Sequence, residues 1–213
     1  MKKFESIYIE GLETYINENL IQRPFPIMNE MEVFALENKI PILSPATGAI
    51  LKFLVTLNKP KKILELGTGL GYSTAWMLSS ELELEIDTLD RNAREQKSAE
   101  SFLQKIQNQN QKVHYLNKHC LEYLNTSKQL DYELVFIDCD KICYPEILNN
   151  LKEKTKPGTI WIFDNVLWHG RLDETRHTKP SDKAIQEFWK LVLSQNQKYT
   201  LFPAGDGLLV LNH

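Results

Sequence analysis

Long apolar runs are missing from this sequence of 213 residues. No stretch of the sequence approaches the roughly 20 consecutive apolar residues that a transmembrane helix requires. The first segment, MKKFESIYIEGLETYI, starts with lysines, but Glu5, Glu10 and Glu13 interrupt the apolar core that a signal peptide needs. We therefore expect neither a membrane span nor a secretory leader, and we predict a cytoplasmic location.

Cysteine is also scarce, with Cys120, Cys139 and Cys143 as the three thiols. Such a small, odd number excludes a disulfide framework and is typical of reduced cytosolic thiols. A structural zinc site needs four soft ligands, and Cys139 and Cys143 have no second pair of cysteine or histidine residues at zinc-site spacing. We interpret the three thiols as small buried apolar side chains.

An excess of positive charge is absent, because the sequence has 25 lysine and arginine residues and 28 aspartate and glutamate residues, with a net charge of −3. Such a chain has no overall basic field to recruit nucleic acid or a membrane, although a local basic patch remains open. A hydrophobic content of 42% with 25% charged residues is ordinary for a globular protein. The length suits one domain, and we predict a single domain over residues 1–213.

Apolar strands and helices alternate through most of the chain. The spacing of apolar residues predicts a helical extension over residues 1–58, with helices over residues 4–20, 30–40 and 44–58. Ser44 is the predicted cap of the last helix. Within residues 59–213, apolar segments such as KKILELG, LEIDTLD and YELVFID predict buried strands separated by helices. This alternation is typical of a doubly wound α/β core with a mostly parallel central sheet. The final segment, KYTLFPAGDGLLVLN, predicts a C-terminal antiparallel hairpin at the edge of the sheet.

A glycine-rich loop joins the first strand to its helix in ILELGTGLGYS, with Gly67, Gly69 and Gly71. Ligands bind at such strand ends in open α/β sheets, and glycine lets the backbone approach them closely. The dinucleotide fingerprint G-x-G-x-x-G requires glycine where this chain has Tyr72, which weakens an NAD interpretation. Glu65, just before the loop, would repel a pyrophosphate but suits a cationic ligand or an amino group.

Two further polar residues complete the predicted ligand site. Ser73 at the start of the helix can help to hold a carboxylate. Asp90 ends the next strand, where an acid can accept hydrogen bonds from two ribose hydroxyls. A nucleoside with an amino-acid tail and a sulfonium charge suits all of these groups, so the sequence predicts S-adenosylmethionine as cofactor. The alternative is a glycine turn and a surface acid on an α/β protein that binds no ligand.

Charged residues follow two other buried strands. VFIDCDK runs into Asp138 and Lys141, and WIFDN ends on Asp164 and Asn165. The carboxyl ends of parallel strands meet at one edge of the sheet, so we expect these groups beside the glycine loop. Two carboxylates and an amide oxygen suit a hard divalent ion such as Mg²⁺, Ca²⁺ or Mn²⁺, which would offset the cost of burying the acids. In the alternative, the acids cap helices and the lysine is a solvated charge.

Two side chains beside this predicted metal site have candidate roles in chemistry. Lys141 lies one turn beyond Asp138, where a nearby cation and partial burial would lower the pKa of its amine, so we predict that Lys141 is a general base. Trp168, in DNVLWHGRL, either walls an acceptor pocket or anchors its segment against the domain.

In order, LELGTGLGYS, VFIDCDKICYPE, DNVLWHGRL and GDGL resemble the metal-dependent O-methyltransferases that include caffeoyl-CoA and catechol O-methyltransferases. The resemblance runs from IPILSPATG to the C terminus. It implies a Rossmann-like methyltransferase fold, an S-adenosylmethionine site and a homodimer. It also implies that Asp138, Asp164 and Asn165 hold the metal and that Lys141 is the base. The acceptor is then expected to be a small aromatic molecule with neighbouring hydroxyls.

The chain departs from this family pattern at two positions. Cys139 stands where alanine is frequent, and KHC at 118–120 replaces a GDA or GPA turn, so the adenine contacts are expected at His119 or Cys120. The N-terminal helices also resemble a bacterial branch that methylates 5-hydroxyuridine at the tRNA wobble position. The matching segment here, RLDETRHTKPSDK, mixes basic residues with acids, so charge does not favour tRNA as the substrate. A cofactor-binding protein without catalysis is a third alternative, against which the intact metal ligands argue.

Overall fold

The computed structural model describes residues 9–194 and 198–213. Seven strands form one sheet, and helices cover both of its faces. The strands are β1 (Lys62–Leu66), β2 (Leu84–Asp90), β3 (Gln111–Asn117), β4 (Leu134–Ile137), β5 (Ile160–Phe163), β6 (Tyr199–Phe202) and β7 (Leu208–Asn212). The α-helices are α1 (Leu12–Tyr15), α2 (Ile27–Asn38), α3 (Pro45–Asn58), α4 (Tyr72–Leu78), α5 (Ala93–Leu103), α6 (Cys120–Thr126), α7 (Tyr144–Lys154) and α8 (Pro180–Ser194).

The strand order is β3-β2-β1-β4-β5-β7-β6. The first five strands are parallel to one another, and β7 pairs antiparallel with both β5 and β6. This arrangement confirms the predicted α/β fold with a mostly parallel sheet and a C-terminal antiparallel hairpin. The sheet reverses its winding direction between β1 and β4, which is where open α/β sheets bind their ligands.

The strands that surround this switch point end at the same level. Leu66 pairs with Leu89 of β2 and with Ile137 of β4, and Ile137 pairs with Phe163 of β5. The residues that follow these four strand ends are therefore neighbours at one edge of the sheet. This register brings the glycine loop and the predicted acids together.

Local signals explain the N-terminal helices only in part. Ser44 caps α3 by accepting a hydrogen bond from the Thr47 amide at 3.2 Å, as predicted. Helix α2 begins at Ile27, three residues earlier than predicted, because a proline such as Pro26 is tolerated at a helix start. The helix predicted over residues 4–20 lies partly outside the described residues, and its remainder is α1 followed by a π-helical turn, Ile16–Leu20.

The sheet separates two apolar cores. One core holds Ile63 and Phe136 beneath α2 to α5, and the other holds Leu64 and Val135 beneath α6 to α8. The N-terminal helices contribute Met28 and other buried side chains to the first core, where α2 and α3 pack against α4. Within residues 9–194 and 198–213 we find no helix whose length and hydrophobicity would let it span a membrane.

Candidate active site

A cavity of about 750 Å³ lies at the carboxyl ends of the parallel strands. Most of the predicted site residues line its wall, and they come from the ends of the five parallel strands and the segments that follow them. Two of the predicted residues, Glu65 and Gly71, lie behind the wall. The predicted residues in the wall are Gly67, Gly69, Ser73, Asp90, His119, Cys120, Asp138, Lys141, Asp164, Asn165 and Trp168.

The glycine loop is held close against the end of β4. Gly67 has a φ of 111°, and a Cβ atom there would lie 2.3 Å from the carbonyl oxygen of Asp138. Gly71 precedes α4 with a φ of 76°, and a Cβ atom there would lie 2.8 Å from the Leu103 side chain. Both positions therefore require glycine, for the left-handed backbone and for the close packing.

Asp90 ties the loop to the end of β2. Its Oδ2 accepts a hydrogen bond from the Gly69 amide at 2.8 Å, and its Oδ1 accepts one from the Asn92 amide at 2.8 Å. An ionised carboxylate can accept about four hydrogen bonds, so two acceptor sites remain for a ligand in the cavity. This geometry is compatible with the predicted contact to a ribose.

Glu65 lies beneath the loop and is fully buried. Its two oxygens accept hydrogen bonds from the hydroxyls of Ser73 at 2.6 Å, Thr74 at 2.6 Å and Thr88 at 2.5 Å. Burial raises the pKa of this carboxyl to about 7, although the three hydroxyls oppose the effect. Glu65 therefore holds the start of α4 in place, and its direct contact with a ligand stays a prediction.

Two carboxylates meet where β4 and β5 end. Asp164 is only 2% exposed, and its Oδ1 accepts no hydrogen bond from the part of the chain that the structure describes. Burial, with the nearby charge of Asp138, raises the pKa of Asp164 to about 8. The charge of Lys141 opposes this effect, but Oδ1 of Asp164 remains a buried acceptor without a hydrogen-bond donor among the described residues. Asn165 follows with a φ of 54° and also lines the cavity.

Lys141 is buried beside this pair, so it is not a solvated surface charge. Its Nζ donates hydrogen bonds to Oδ1 of Asp138 at 2.8 Å and to the Tyr144 hydroxyl at 2.9 Å. Tyr144 in turn donates to the Asp164 carbonyl oxygen at 2.8 Å. Complete burial raises the pKa of the Tyr144 phenol well above its usual value, so this hydroxyl stays protonated. The buried phenol fixes the position of the amine at the cavity wall.

The predicted adenine end of the cavity is formed by the start of α6. His119 caps this helix by accepting a hydrogen bond from the Leu121 amide on Nδ1, at 3.3 Å. Cys120 is buried behind it, as predicted, and the adjacent Cys139 thiol and burial raise the pKa of Cys120 to about 12. Cys143 is also buried, whereas Cys139 is partly exposed at the cavity.

Two more residues shape the opposite side of the cavity. Trp168 lines the cavity, and its indole N–H donates a hydrogen bond to Asp182 of α8 at 2.8 Å, which anchors its segment on the domain. Its contact with an acceptor stays a prediction. Sequence reasoning missed Asp206, which lines the cavity and accepts a hydrogen bond from the His169 amide at 2.7 Å. An acid between two glycines in the predicted hairpin turn was the signal for it, because β7 pairs with β5 and brings the turn to this edge.

Solved structures with this architecture include the O-methyltransferase from Bacillus cereus in complex with SAH. It aligns with a TM-score of 0.79 and 23% identity, over 95% of this chain and 97% of that chain. A Staphylococcus aureus protein provisionally named caffeoyl-CoA O-methyltransferase aligns with a TM-score of 0.80 and 25% identity, over 94% and 99% of the two chains. These similarities confirm the predicted Rossmann-like methyltransferase fold.

Sequence comparison leads to the same group of proteins. A protein of Mycobacterium sp. (strain JLS), provisionally named as an O-methyltransferase, is 28% identical over 171 residues, which are 79% of this chain and 77% of that protein. The sequence model of a family described as O-methyltransferase matches residues 22–213. Because this match spans most of the chain, the protein belongs to the O-methyltransferase family and is an enzyme of that class.

Proposed function

We propose that this O-methyltransferase transfers a methyl group from S-adenosylmethionine to a hydroxyl of a small, catechol-like aromatic acceptor, with the help of a divalent cation. The observation that carries the proposal is the pair of acids Asp138 and Asp164, one of them with an unpartnered buried oxygen, on the wall of the cavity that the glycine loop also lines. Every residue that the chemistry needs then lies at one edge of the sheet.

The strand-end residues fit a hard divalent cation. Burial and the charge of Asp138 disfavour ionisation of Asp164, and a cation would supply counter-charge to this carboxyl. Asp138, Asp164 and the amide oxygen of Asn165 form an all-oxygen set of the kind that Mg²⁺, Ca²⁺ or Mn²⁺ prefers. When bound, the cation would lower the pKa of an acceptor hydroxyl and hold that hydroxyl in place.

We place the methyl donor along the glycine loop. Asp90 would accept hydrogen bonds from the ribose, the backbone N–H of Ser73 would help to hold the carboxylate, and His119 and Cys120 would contact the adenine. A volume of about 750 Å³ is ample for a nucleoside with an amino-acid tail. The Bacillus cereus structure holds SAH, and TomG from Streptomyces achromogenes, with 21% identity and a TM-score of 0.77, is in complex with SAM.

Lys141 is the proposed general base. Its amine lies 2.8 Å from a proposed cation ligand, so an acceptor hydroxyl held at the same site is within its reach. In its neutral form the amine can accept the hydroxyl proton. The acceptor oxygen then forms a bond to the methyl carbon while the carbon–sulfur bond of the donor breaks. The proton ends on Lys141, and the sulfonium becomes a neutral thioether.

Charge pairing favours a small acceptor over tRNA. In the segment 171–183, Arg176 lies 3.4 Å from Asp173, and Arg171 lies 3.9 Å from Asp182. These pairs offset the positive charge that a phosphate backbone would need. Methylation of tRNA at the same site is therefore the second candidate, and its signature would be activity that falls steeply with added salt.

We also propose a homodimer. Helices α2 and α3 expose apolar side chains that a monomer would leave in water, with Leu36 81% exposed and Leu57 63% exposed. Val33 and Phe53 extend the exposed apolar surface of these helices. Light scattering after size exclusion tests this, and a strictly monomeric protein would refute it.

Methyl transfer from labelled S-adenosylmethionine tests the proposed function. The acceptor panel contains catechols, hydroxycinnamoyl thioesters and undermethylated tRNA, each with and without chelator. We expect chelator-sensitive transfer to a catechol or thioester, and loss of transfer in Asp138→Asn. The matched control is Asp131→Asn, an exposed acid that pairs with Lys156 on the surface. Transfer to tRNA alone would favour the second candidate, and chelator-resistant transfer by metal-free protein would refute the cation.

A further inference from the structure

The three cysteines of this chain meet beside the cavity, although they are separated in the sequence. Cys120 starts α6, and Cys143 ends the 3₁₀ turn Lys141–Cys143 that leads into α7. The donor atoms of His119, Cys120 and Cys143 all lie within 4.8 Å of one another. Cys139 adjoins Cys120 from the loop after β4. The fold therefore assembles three thiols and one imidazole that no local spacing in the sequence indicates.

The separation of these donor atoms matches what a soft metal ion requires. Zinc binds sulfur at about 2.3 Å and imidazole nitrogen at about 2.0 Å, so the donors around one ion lie roughly 3.5–4 Å apart. The observed spacing of at most 4.8 Å needs only small side-chain rotations to reach that geometry. Thiolate and imidazole are the ligands that select such ions over Mg²⁺ or Ca²⁺.

An ion also has a route to this cluster. His119, Cys120 and Cys139 line the cavity, while Cys143 lies just behind them and is 5% exposed. Three protein ligands leave a fourth coordination position of a tetrahedral ion open for water. The cluster differs chemically from the all-oxygen set at the ends of β4 and β5.

We propose that His119, Cys120 and Cys143 form a binding site for a thiophilic divalent cation of the Zn²⁺ and Cd²⁺ class. Since we also place the adenine of the methyl donor against His119 and Cys120, the ion and the donor would compete for the cavity. This competition depends on the proposed function, whereas the binding of the ion does not.

Titration of the reduced, metal-free protein with Cd²⁺ tests the site. We expect the near-ultraviolet absorption of a cadmium–thiolate bond to saturate at one ion per chain, and Mg²⁺ to leave it absent. Cys120→Ser and Cys143→Ser should each weaken Cd²⁺ binding at least tenfold. The matched control is His114→Gln, because His114 belongs to a second group of possible ligands with Glu85 and Asp87 on the sheet. Unchanged binding in both serine variants, or loss in the control, would overturn the proposal.

A measurement on the wild-type protein keeps the test decisive if a serine variant does not fold. Stoichiometric Cd²⁺ should protect Cys120 and Cys143 from alkylation, as mapped by mass spectrometry of the digested protein. Alkylation of both thiols at an unchanged rate would overturn the site. Calorimetry then tests whether the ion and the donor compete. We expect the affinity for S-adenosylhomocysteine to be at least tenfold weaker when Cd²⁺ is bound. Unchanged affinity would refute the shared position while leaving the ion site supported by the absorption and alkylation results.

Discussion

Replacing Glu65 by glutamine should remove a specific pH dependence of stability. Glu65 is fully buried, and its oxygens accept hydrogen bonds from Ser73, Thr74 and Thr88. Glutamine has nearly the same shape and offers one acceptor oxygen, while the hydroxyls can rotate to accept from its amide N–H groups. The variant therefore keeps the packing under the glycine loop and loses the group that titrates.

The magnitude follows from the pKa of Glu65, which burial raises from 4.5 to about 7. A carboxyl with a raised pKa in the folded state contributes stability that is fully present below pH 4.5 and is lost as the pH rises through 7. Each pH unit is worth about 1.4 kcal/mol, so Glu65 alone lowers the free energy of unfolding by about 3 kcal/mol over this interval. Glutamine does not titrate. Between pH 4.5 and 7 the free energy of unfolding of the variant should therefore rise by this amount relative to that of the wild type.

Urea unfolding of both proteins at a series of pH values between 4.5 and 8, with chelator present, measures this difference. The control is Glu37→Gln, which changes an exposed glutamate at the end of α2 and should leave the difference constant. A difference for Glu65→Gln that is flat across this range would refute the reasoning. It would mean that the three hydroxyl donors outweigh the cost of burying the charged carboxylate.

The other predictions concern catalysis, ligand binding and the loop. Lys141→Ala should lower kcat with little change in the Kd of the donor, and high pH should restore part of the rate. Lys141→Arg should not restore it, because guanidinium does not deprotonate. If Lys141→Ala has the pH–rate profile of the wild type, Lys141 is not the base. Asp90→Asn should cost about 1.5–3 kcal/mol of binding to S-adenosylhomocysteine by calorimetry, and unchanged affinity would refute the ribose contact. Chelator should stop turnover and Mg²⁺ or Mn²⁺ should restore it in wild type but not in Asp164→Asn; restoration in this variant would contradict the cation site. Gly67→Ala should lower the free energy of unfolding by at least about 1–3 kcal/mol, since its Cβ would meet the Asp138 carbonyl oxygen at 2.3 Å; wild-type stability in a urea titration would show that the loop can shift.

The order and type of most helices and strands could be predicted from the sequence, because they depend on local signals. The apolar period of KILEL, the cap at Ser44 and the glycines of the loop act over a few residues each. The gathering of Asp90, Asp138 and Asp164 was also predictable, since a parallel sheet places all of its strand carboxyl ends at one edge. A general rule of topology thus placed these acids beside one cavity without any knowledge of side-chain contacts.

Side-chain neighbours from distant segments could not be predicted, because they depend on how whole elements pack. The three hydroxyls around Glu65 come from α4 and β2, and the position of Lys141 depends on the buried Tyr144. In the hairpin, Asp206 reaches the cavity only because β7 pairs with β5. These contacts decide charge states and distances, which the sequence pattern leaves open.

The cysteines show this division most clearly. The prediction that all three thiols are buried is confirmed for Cys120 and Cys143 and is wrong for Cys139, which is partly exposed because it lies at the cavity. Only the packing of α6 against the loop after β4 places these two thiols within 4.8 Å of each other and of His119. The sequence by itself determined which chemical groups this protein has and which edge of the sheet most of them reach. The tertiary structure decided which groups touch, because contact depends on the packing of elements that are far apart in the chain.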